Sequence, residues 1–453
     1  MTDVPQTRWA RTLDGAYLAY QVLGEGPTDL LYVPGWHSHL EIYWEQPLYA
    51  SFMRRLARSF RVITFDKRGT GLSERSVGTP DFETMMDDVR TVLDAAGSQR
   101  PVLWGDGPDG GGSCAVFAAS FPDRALAFIW WRACARTLST VDYPWGQSLE
   151  GVIADDTFIE QAWGDEQRGE ELLQFVGCPS LIDDPAARRW IAKFYRYAGT
   201  PSGARAFHEW YLGIDVRAVL PSIHVPTLIS GTVTDGPEAD IGDHLRYIAA
   251  CIAGAVSVDV SGDDFPAMLG DQDEHLAPIL AFVDSVRREE QELDRVLATV
   301  LFTDVVGSTE KACKVGDASW HELLQKHHAS VRALFARYRG TEVSTAGDGF
   351  LATFDGPARA VKCAQGICEA VKPLGLEVRA GCHTGEIELL GADVGGIAVH
   401  IGARVAALAG PSEVLVSSTV KDLVAGSGLT FEDRGEHELK GVPGSWRLYA
   451  AGT

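Results

Sequence analysis

The hydrophobic period of this chain changes once, across the charged run Ser285–Arg295 (SVRREEQELDR), and that change rules out one continuous architecture. Before it, short apolar runs alternate with helical stretches, the pattern of a parallel sheet covered by helices. Candidate strands are Leu30–Val33, Arg61–Phe65, Val102–Trp104, Ala127–Trp130, Thr227–Ser230 and Val256–Val260. Between Arg132 and Ser222 the alternation lapses into a mostly helical segment rich in Trp and Tyr, which reads as a cap over the sheet. The charged run holds no Gly or Pro and reads as a helical linker over residues 286–296.

From Leu297 the period differs. LATVLFTD is a strand, SWHELLQKHHASVRALFARY an amphipathic helix, and EVSTAGDGFLATF a hairpin turning at Asp348-Gly349. A helix over Gly356–Val371, the strand EVRAGCHTGEIELL and a helix around Ala398–Ala409 follow. Closing strands at Glu413–Ser417 and Trp446–Ala450 complete an α+β unit with a mostly antiparallel sheet. The expectation is an α/β domain over residues 1–285 with a cap at 132–222, and a second domain over 297–453; a chain of 453 residues exceeds one core.

Charge narrows the partners. The net charge is −22, which disfavours nucleic acid, since binding a phosphate backbone needs a basic surface. Only −4 of it falls from Gln291 onward, so a site for an anionic nucleotide belongs there rather than in the acidic first half. No run reaches the roughly 20 apolar residues that span a bilayer, and the start of the chain lacks a signal-peptide core. Eight scattered cysteines form no C-x-x-C and read as reduced, mostly buried thiols. The expected setting is the cytoplasm, with no membrane partner.

Two aspartates stand at strand tips, Asp304 ending LFTD and Asp348 in STAGDGF. Carboxylates on neighbouring strands can hold two divalent ions about 4 Å apart, an arrangement that drives in-line phosphoryl or nucleotidyl displacement. After Asp304, Gly307, Ser308 and Thr309 lead into a helix and leave backbone N–H groups to face phosphate oxygens. The other reading makes Asp304 an N-cap and Asp348 the turn residue of a D-G hairpin.

The ordered set LFTDVVGST, STAGDGF, VRAGCHTGE, DVGGIAVHIGAR and HELKGV resembles the class III nucleotide cyclase homology domain over Leu297 to Ala450. The resemblance implies a ferredoxin-like α+β fold that converts ATP to cyclic AMP and pyrophosphate. It implies two Mg²⁺ or Mn²⁺ ions per site, held by Asp304, Asp348 and the Val305 carbonyl. By the same resemblance Asp393 accepts the adenine amino group, Arg404 forks over the reacting phosphate, and Lys440 and Arg379 contact the triphosphate. Two positions depart from the family pattern: Ser344 stands where a purine-reading Lys is usual, and His400 where an Asn is usual. Both can still make one hydrogen bond, and His400 shares a helix face with Arg404 at i, i+4. Family sites are built across a head-to-tail dimer, so this chain is expected to homodimerise.

The segments LYVPGWHSHLE, ITFDKRGTGLSER, VLWGDGPDGGGS, PTLISGTVTD and VSGDDFPAMLGD resemble an α/β-hydrolase over about residues 8–285. Active members place Ser at a strand-to-helix elbow, then an acid, then a His. Here the nucleophile position falls on Gly107, with Asp109 the alternative in a G-x-D-x-G reading; Asp235 fits the acid position, and Asp264 holds the histidine position. Without imidazole there is no base to activate a hydroxyl or water. His275 reads as a surface residue, and His37 and His39 as weak metal candidates near the oxyanion loop. The expected role is a non-hydrolytic regulatory or scaffolding domain whose pocket takes an apolar small ligand under Trp145, Trp163, Trp190, Tyr195, Tyr197 and Trp210; packing is the other reading of those aromatics. Two alternatives stay open: a hydrolase using Asp109 with a nucleotide-binding regulator, and a sensor in which neither domain turns over substrate.

Overall fold

The apolar runs of the first half form, in the computed structural model, one eight-stranded sheet. Its strands are β1 (Arg8–Arg11), β2 (Tyr17–Leu23), β3 (Thr28–Val33), β4 (Phe60–Phe65), β5 (Val102–Asp106), β6 (Ala127–Trp131), β7 (Thr227–Val233) and β8 (Val256–Ser261), in the order β1-β2-β4-β3-β5-β6-β7-β8. The structure describes residues 4–75, 80–233, 241–293, 295–390 and 393–452. Strands β3 to β8 pair in parallel, and β5 and β6 are buried along their whole length, as a sheet covered on both faces requires. β1 and β2, which the sequence reading did not anticipate, add an antiparallel edge beside β4.

The cap consists of helices Leu149–Ala162, Gly169–Phe175, Pro185–Ala198 and Pro201–Leu212. Ser148, Asp184 and Thr200 cap three of them by accepting from N–H groups of the first turn. Pro185–Ala198 buries Ala187, Trp190, Ile191, Phe194, Tyr195 and Ala198, an apolar stripe at helical spacing.

The run expected as a helical linker over 286–296 is helical to Leu293, as the end of one helix, Gln272–Leu293, whose Leu276, Ile279, Val283 and Val286 belong to the first unit's core; Arg295 and Val296 already open a strand. That buried face also corrects the reading of His275, which is 1% exposed, packs at a tilt on Trp131 and bonds through Nδ1 to the Ala267 carbonyl at 3.0 Å. The chain divides into two units, Met1–Arg287 and Arg288–Thr453.

The second unit is built on β9 (Arg295–Val305), β10 (Thr341–Ala346), β11 (Gly349–Phe354), β12 (Val378–Leu390), β13 (Asp393–Gly395), β14 (Val414–Ser417), β15 (Phe431–Glu438) and β16 (Ser445–Ala451). The order is β10-β11-β9-β12-β14-β16-β15, with β13 on β12, and among the described residues only β12–β14 is parallel. The hairpin turns at Gly347-Asp348 rather than Asp348-Gly349, because Ala346 pairs with Gly349 and Gly347 takes a φ of +64°. Helices Asp317–Tyr338 and Pro357–Val371 bury Val331, Phe335, Ala364 and Ile367 against Leu301 and Cys382 of the sheet. Helix Ile397–Leu408 lies so near β12 that a Cβ at Gly381 would meet the Ala406 backbone at 2.2 Å. Among the described residues no helix is long and apolar enough to cross a membrane.

Candidate functional site

Strand pairing brings the C-terminal acids together. Thr303 pairs with Phe350 across β9 and β11, so Asp304 and Asp348 both stand at that end of the sheet. The Val305 N–H donates to Asp348 Oδ2 at 3.1 Å. Opposite Asp304 on β12 stands Arg379, whose Nε donates to Asp304 Oδ2 at 2.9 Å and whose Nη2 joins the same oxygen. Among the described residues Oδ1 of each aspartate carries no hydrogen bond, and the Asp304 side chain is 40% exposed. A groove of about 320 Å³ opens there, lined by Asp304, Ser344, Arg379, Ala403 and Ala407 among others. Gly307 precedes helix Ser308–Val315 with a φ of +65°, which puts Ser308 and Thr309 in its first turn.

The remaining sequence-derived residues lie outside that groove. Asp393 on β13 is exposed and accepts from the Val394 N–H at 2.8 Å. His400 and Arg404 are exposed on helix Ile397–Leu408, and Arg404 Nε donates to the Lys440 carbonyl at 3.2 Å. Two residues that sequence reasoning missed hold the hairpin turn. His327 Nε2 bonds the Asp348 carbonyl at 3.2 Å, and His328 Nε2 the Gly347 carbonyl at 3.0 Å. The K-H-H run inside an otherwise amphipathic helix was their only signal.

In the first unit, Gly107 opens helix Gly107–Ser120 directly after β5 with a φ of +68°, a strand-to-helix elbow. Asp109 is fully buried; Trp36 N–H donates to its Oδ1 at 3.1 Å and Lys67 pairs with Oδ2. Asp264 faces the cap: the Ser180 N–H and Oγ donate to its two oxygens at 3.1 and 2.5 Å. Asp235 lies outside the described residues.

A cavity of about 260 Å³ lies under the cap, reaching Asp106, Asp109, Trp190 and Tyr195. Of the other cap aromatics, Trp163 packs on Tyr195 and His37, Trp145 on Tyr143 and Tyr247, and Trp210 on Phe207, while Tyr197 is 50% exposed. His37 faces the cavity, and burial pushes its pKa down to about 3, so it stands neutral. His39 instead caps the helix Leu40–Tyr43. Among the described residues no group of three His, Cys, Asp or Glu side chains is placed to hold a metal ion. Lys67 and Arg132, which pair with Asp109 and Asp106, were also missed.

Two family models match the chain: the adenylate and guanylate cyclase catalytic domain over residues 289–451, and the alpha/beta hydrolase fold over residues 30–155. A curated relative, "Putative adenylate cyclase 3" of Rhizobium meliloti (strain 1021), is 29% identical over 162 residues, covering 34% of this chain and 27% of that protein. The chain spans about a quarter or less of the length of such relatives. Among solved structures, the esterase EaEST from Exiguobacterium antarcticum aligns over 62% of this chain and 100% of its own, at 20% identity and a TM-score of 0.51. The adenylyl cyclase CyaB from P. aeruginosa aligns over 35% of this chain and 95% of its own, at 22% identity and a TM-score of 0.34.

Proposed function

We propose, for a chain that joins an α/β-hydrolase fold to a domain of the adenylate and guanylate cyclase catalytic family, that its C-terminal unit makes cyclic AMP and pyrophosphate from ATP. The observation that carries this reading is the pair Asp304 and Asp348 at neighbouring strand ends, each with a carboxylate oxygen free of hydrogen bonds among the described residues. Such oxygens suit hard divalent cations. Asp304, Asp348 and the Val305 carbonyl would hold two Mg²⁺ or Mn²⁺ ions, which when bound supply a more acidic ribose 3′-hydroxyl and neutralised phosphate charge.

The chain's own residues bind and orient. The N–H groups of Gly307, Ser308 and Thr309 face phosphate oxygens at a helix start. Arg379 moves from Asp304 to the triphosphate, which Lys440 also contacts, and Arg404 spreads its fork over the reacting phosphate. His400 donates one hydrogen bond to the same group. Asp393 accepts from the adenine 6-amino group and repels the O6 of guanine; Ser344 adds one hydrogen bond to the base. Because Asp393, His400, Arg404 and Lys440 lie outside the groove that holds Asp304, a second copy would complete each site, in a head-to-tail homodimer. Leu297, Leu389 and Ile397 are 67%, 42% and 54% exposed, apolar surface that such a partner would cover.

The first unit is read as a non-hydrolytic regulatory or scaffolding module. Gly107 offers no nucleophile at the elbow, Asp264 is bonded to Ser180, and both Asp109 oxygens are taken. The test is direct: the purified chain with Mn·ATP yields cyclic AMP in preference to cyclic GMP from Mn·GTP, and Asp304→Ala lowers the rate at least about 100-fold. Absence of cyclic AMP, or a variant equal to the parent, sinks the reading.

A further inference from the structure

The cavity under the cap is furnished for holding a molecule rather than for cleaving one, and Arg132 is its centre. Arg132 follows β6 with a φ of +50°, a conformation that costs energy in a non-glycine residue. A Cβ built at Gly107, where a nucleophilic side chain would begin, lies 3.6 Å from Arg132 Nη2; one built at Gly35 lies 3.2 Å from the same nitrogen. The guanidinium therefore borders the space where a nucleophilic side chain would stand. Its Nε donates to Asp106 Oδ1 at 2.8 Å, and the Tyr32 hydroxyl donates to Asp106 Oδ2 at 3.2 Å. Neither Nη of Arg132 makes a hydrogen bond among the described residues, although the side chain keeps only 24% of its surface.

Three more polar atoms around the cavity are buried with no hydrogen-bond partner among the described residues: Trp36 Nε1, His37 Nδ1 and the Tyr195 hydroxyl. Trp36 Nε1 and the Tyr195 hydroxyl lie close to one another yet outside bonding geometry. Most buried polar groups are satisfied, so several orphans around one cavity point to a molecule that would satisfy them. The acids are already engaged: Asp106 with Arg132, Asp109 with Lys67, Asp155 with Gln147, and Asp156 with His208. The directions left open are chiefly donors, and the walls are apolar, with Phe175, Trp190, Phe194 and Leu269.

We propose that this cavity binds a small acyl compound, an apolar body ending in a carboxylate or a neutral ester or lactone carbonyl, with the acyl oxygen held by Arg132 Nη and assisted by Trp36 Nε1 and the Tyr195 hydroxyl. An arginine fork suits two acyl oxygens, and aromatic walls suit the body. The bound compound meets no hydroxyl nucleophile and leaves intact. The inference needs no nucleotide and stands or falls apart from the cyclase reading.

The test titrates the full chain with 4-phenylbutyrate, its methyl ester and 4-phenylbutan-1-ol, following Trp fluorescence and heat. At least one acyl probe should bind at a single site, at least about tenfold tighter than the alcohol, which shares the body but lacks the acyl group. Acid over ester identifies a carboxylate ligand, and ester over acid a neutral one. Arg132→Lys keeps a cation beside Asp106 but loses the fork, and should weaken the tighter probe at least about tenfold. Tyr195→Phe deletes an unpartnered hydroxyl, so the free protein should melt no lower while binding weakens about threefold or more. No binding of either acyl probe, equal binding of the alcohol, a folded Arg132→Lys with parental affinity, or hydrolysis of the ester overturns the proposal.

Discussion

Arg379 places a cation on one of the two carboxylates that a divalent ion would need. The pair is a partly exposed one, 36% and 40% by side chain, and such pairs contribute little to stability, so an incoming ion displaces the arginine at small cost. Arg379→Gln should therefore lower the half-saturating Mn²⁺ concentration about two- to fivefold, since a competitor is gone. It should also raise KM for Mn·ATP at least about fivefold, because the triphosphate loses a charged partner. Initial rates over a grid of metal and nucleotide check both; a variant that changes only the melting temperature marks Arg379 as structural. The aspartates were legible because each sits in a short motif whose neighbours constrain it. Their partners were not: Asp304–Arg379 exists only through the β9–β12 register, and Lys67 meets Asp109 from 42 residues away.

At the scale of elements, the helix Asp317–Tyr338 anchors the β10–β11 turn through His327 and His328. His327 is fully buried, and that burial holds its pKa down, so a neutral imidazole donates to the Asp348 carbonyl. His327→Leu removes the anchor and should lower kcat about tenfold with the fold kept, whereas His327→Gln retains a donor and should recover most of the rate. Equal rates in the two variants would reduce His327 to packing. His383 makes the second element-scale prediction. It lies 4% exposed on β12, bonds Ser417 Oγ at the end of β14 at 2.7 Å, and burial pushes its pKa from 6.5 down to about 4. The unfolded chain takes up that proton first, so the contribution is complete above about pH 6.5 and is lost as pH falls toward 4, up to about 3 kcal/mol. Glu342, held down to about 2 by Arg332, loses its share only as pH falls from about 4.5 toward 2, below the window in which His383 acts. Hydrogen exchange along β12 and β14 should speed up between pH 7 and 4.5, after correction for intrinsic rates, and His383→Gln should flatten that slope. The long strands and helices were legible from their period. Strands β1, β2 and β15 were not, being short, mixed in polarity or mostly exposed, and the turn slipped one residue because D-G is the stronger local signal than G-D.

At the scale of the whole molecule, the order of motifs along the chain pointed to two different folds, because each ordered set fits one of them. The polar furnishing of the cavity under the cap, Arg132 and Trp36 included, was illegible, since it comes from distant segments that only the packed cap brings together. The same scale holds the prediction that most sharply tests the proposed dimer. Asp304 lines the groove and Arg404 does not, so the reading assigns them to one site from different copies. Asp304→Ala and Arg404→Ala should each be inactive alone. Mixed at equal amounts and allowed to exchange, half of the dimers carry one of each chain, and two-fold symmetry then gives every mixed dimer one site with both defects and one with neither. The mixture should recover about a quarter of the parent rate, rising with time as subunits exchange. Recovery of cyclic AMP formation cannot arise if each site draws both residues from a single chain, so a mixture that stays inactive, with exchange verified by a labelled copy, refutes the shared site while leaving the identity of its residues to the single variants.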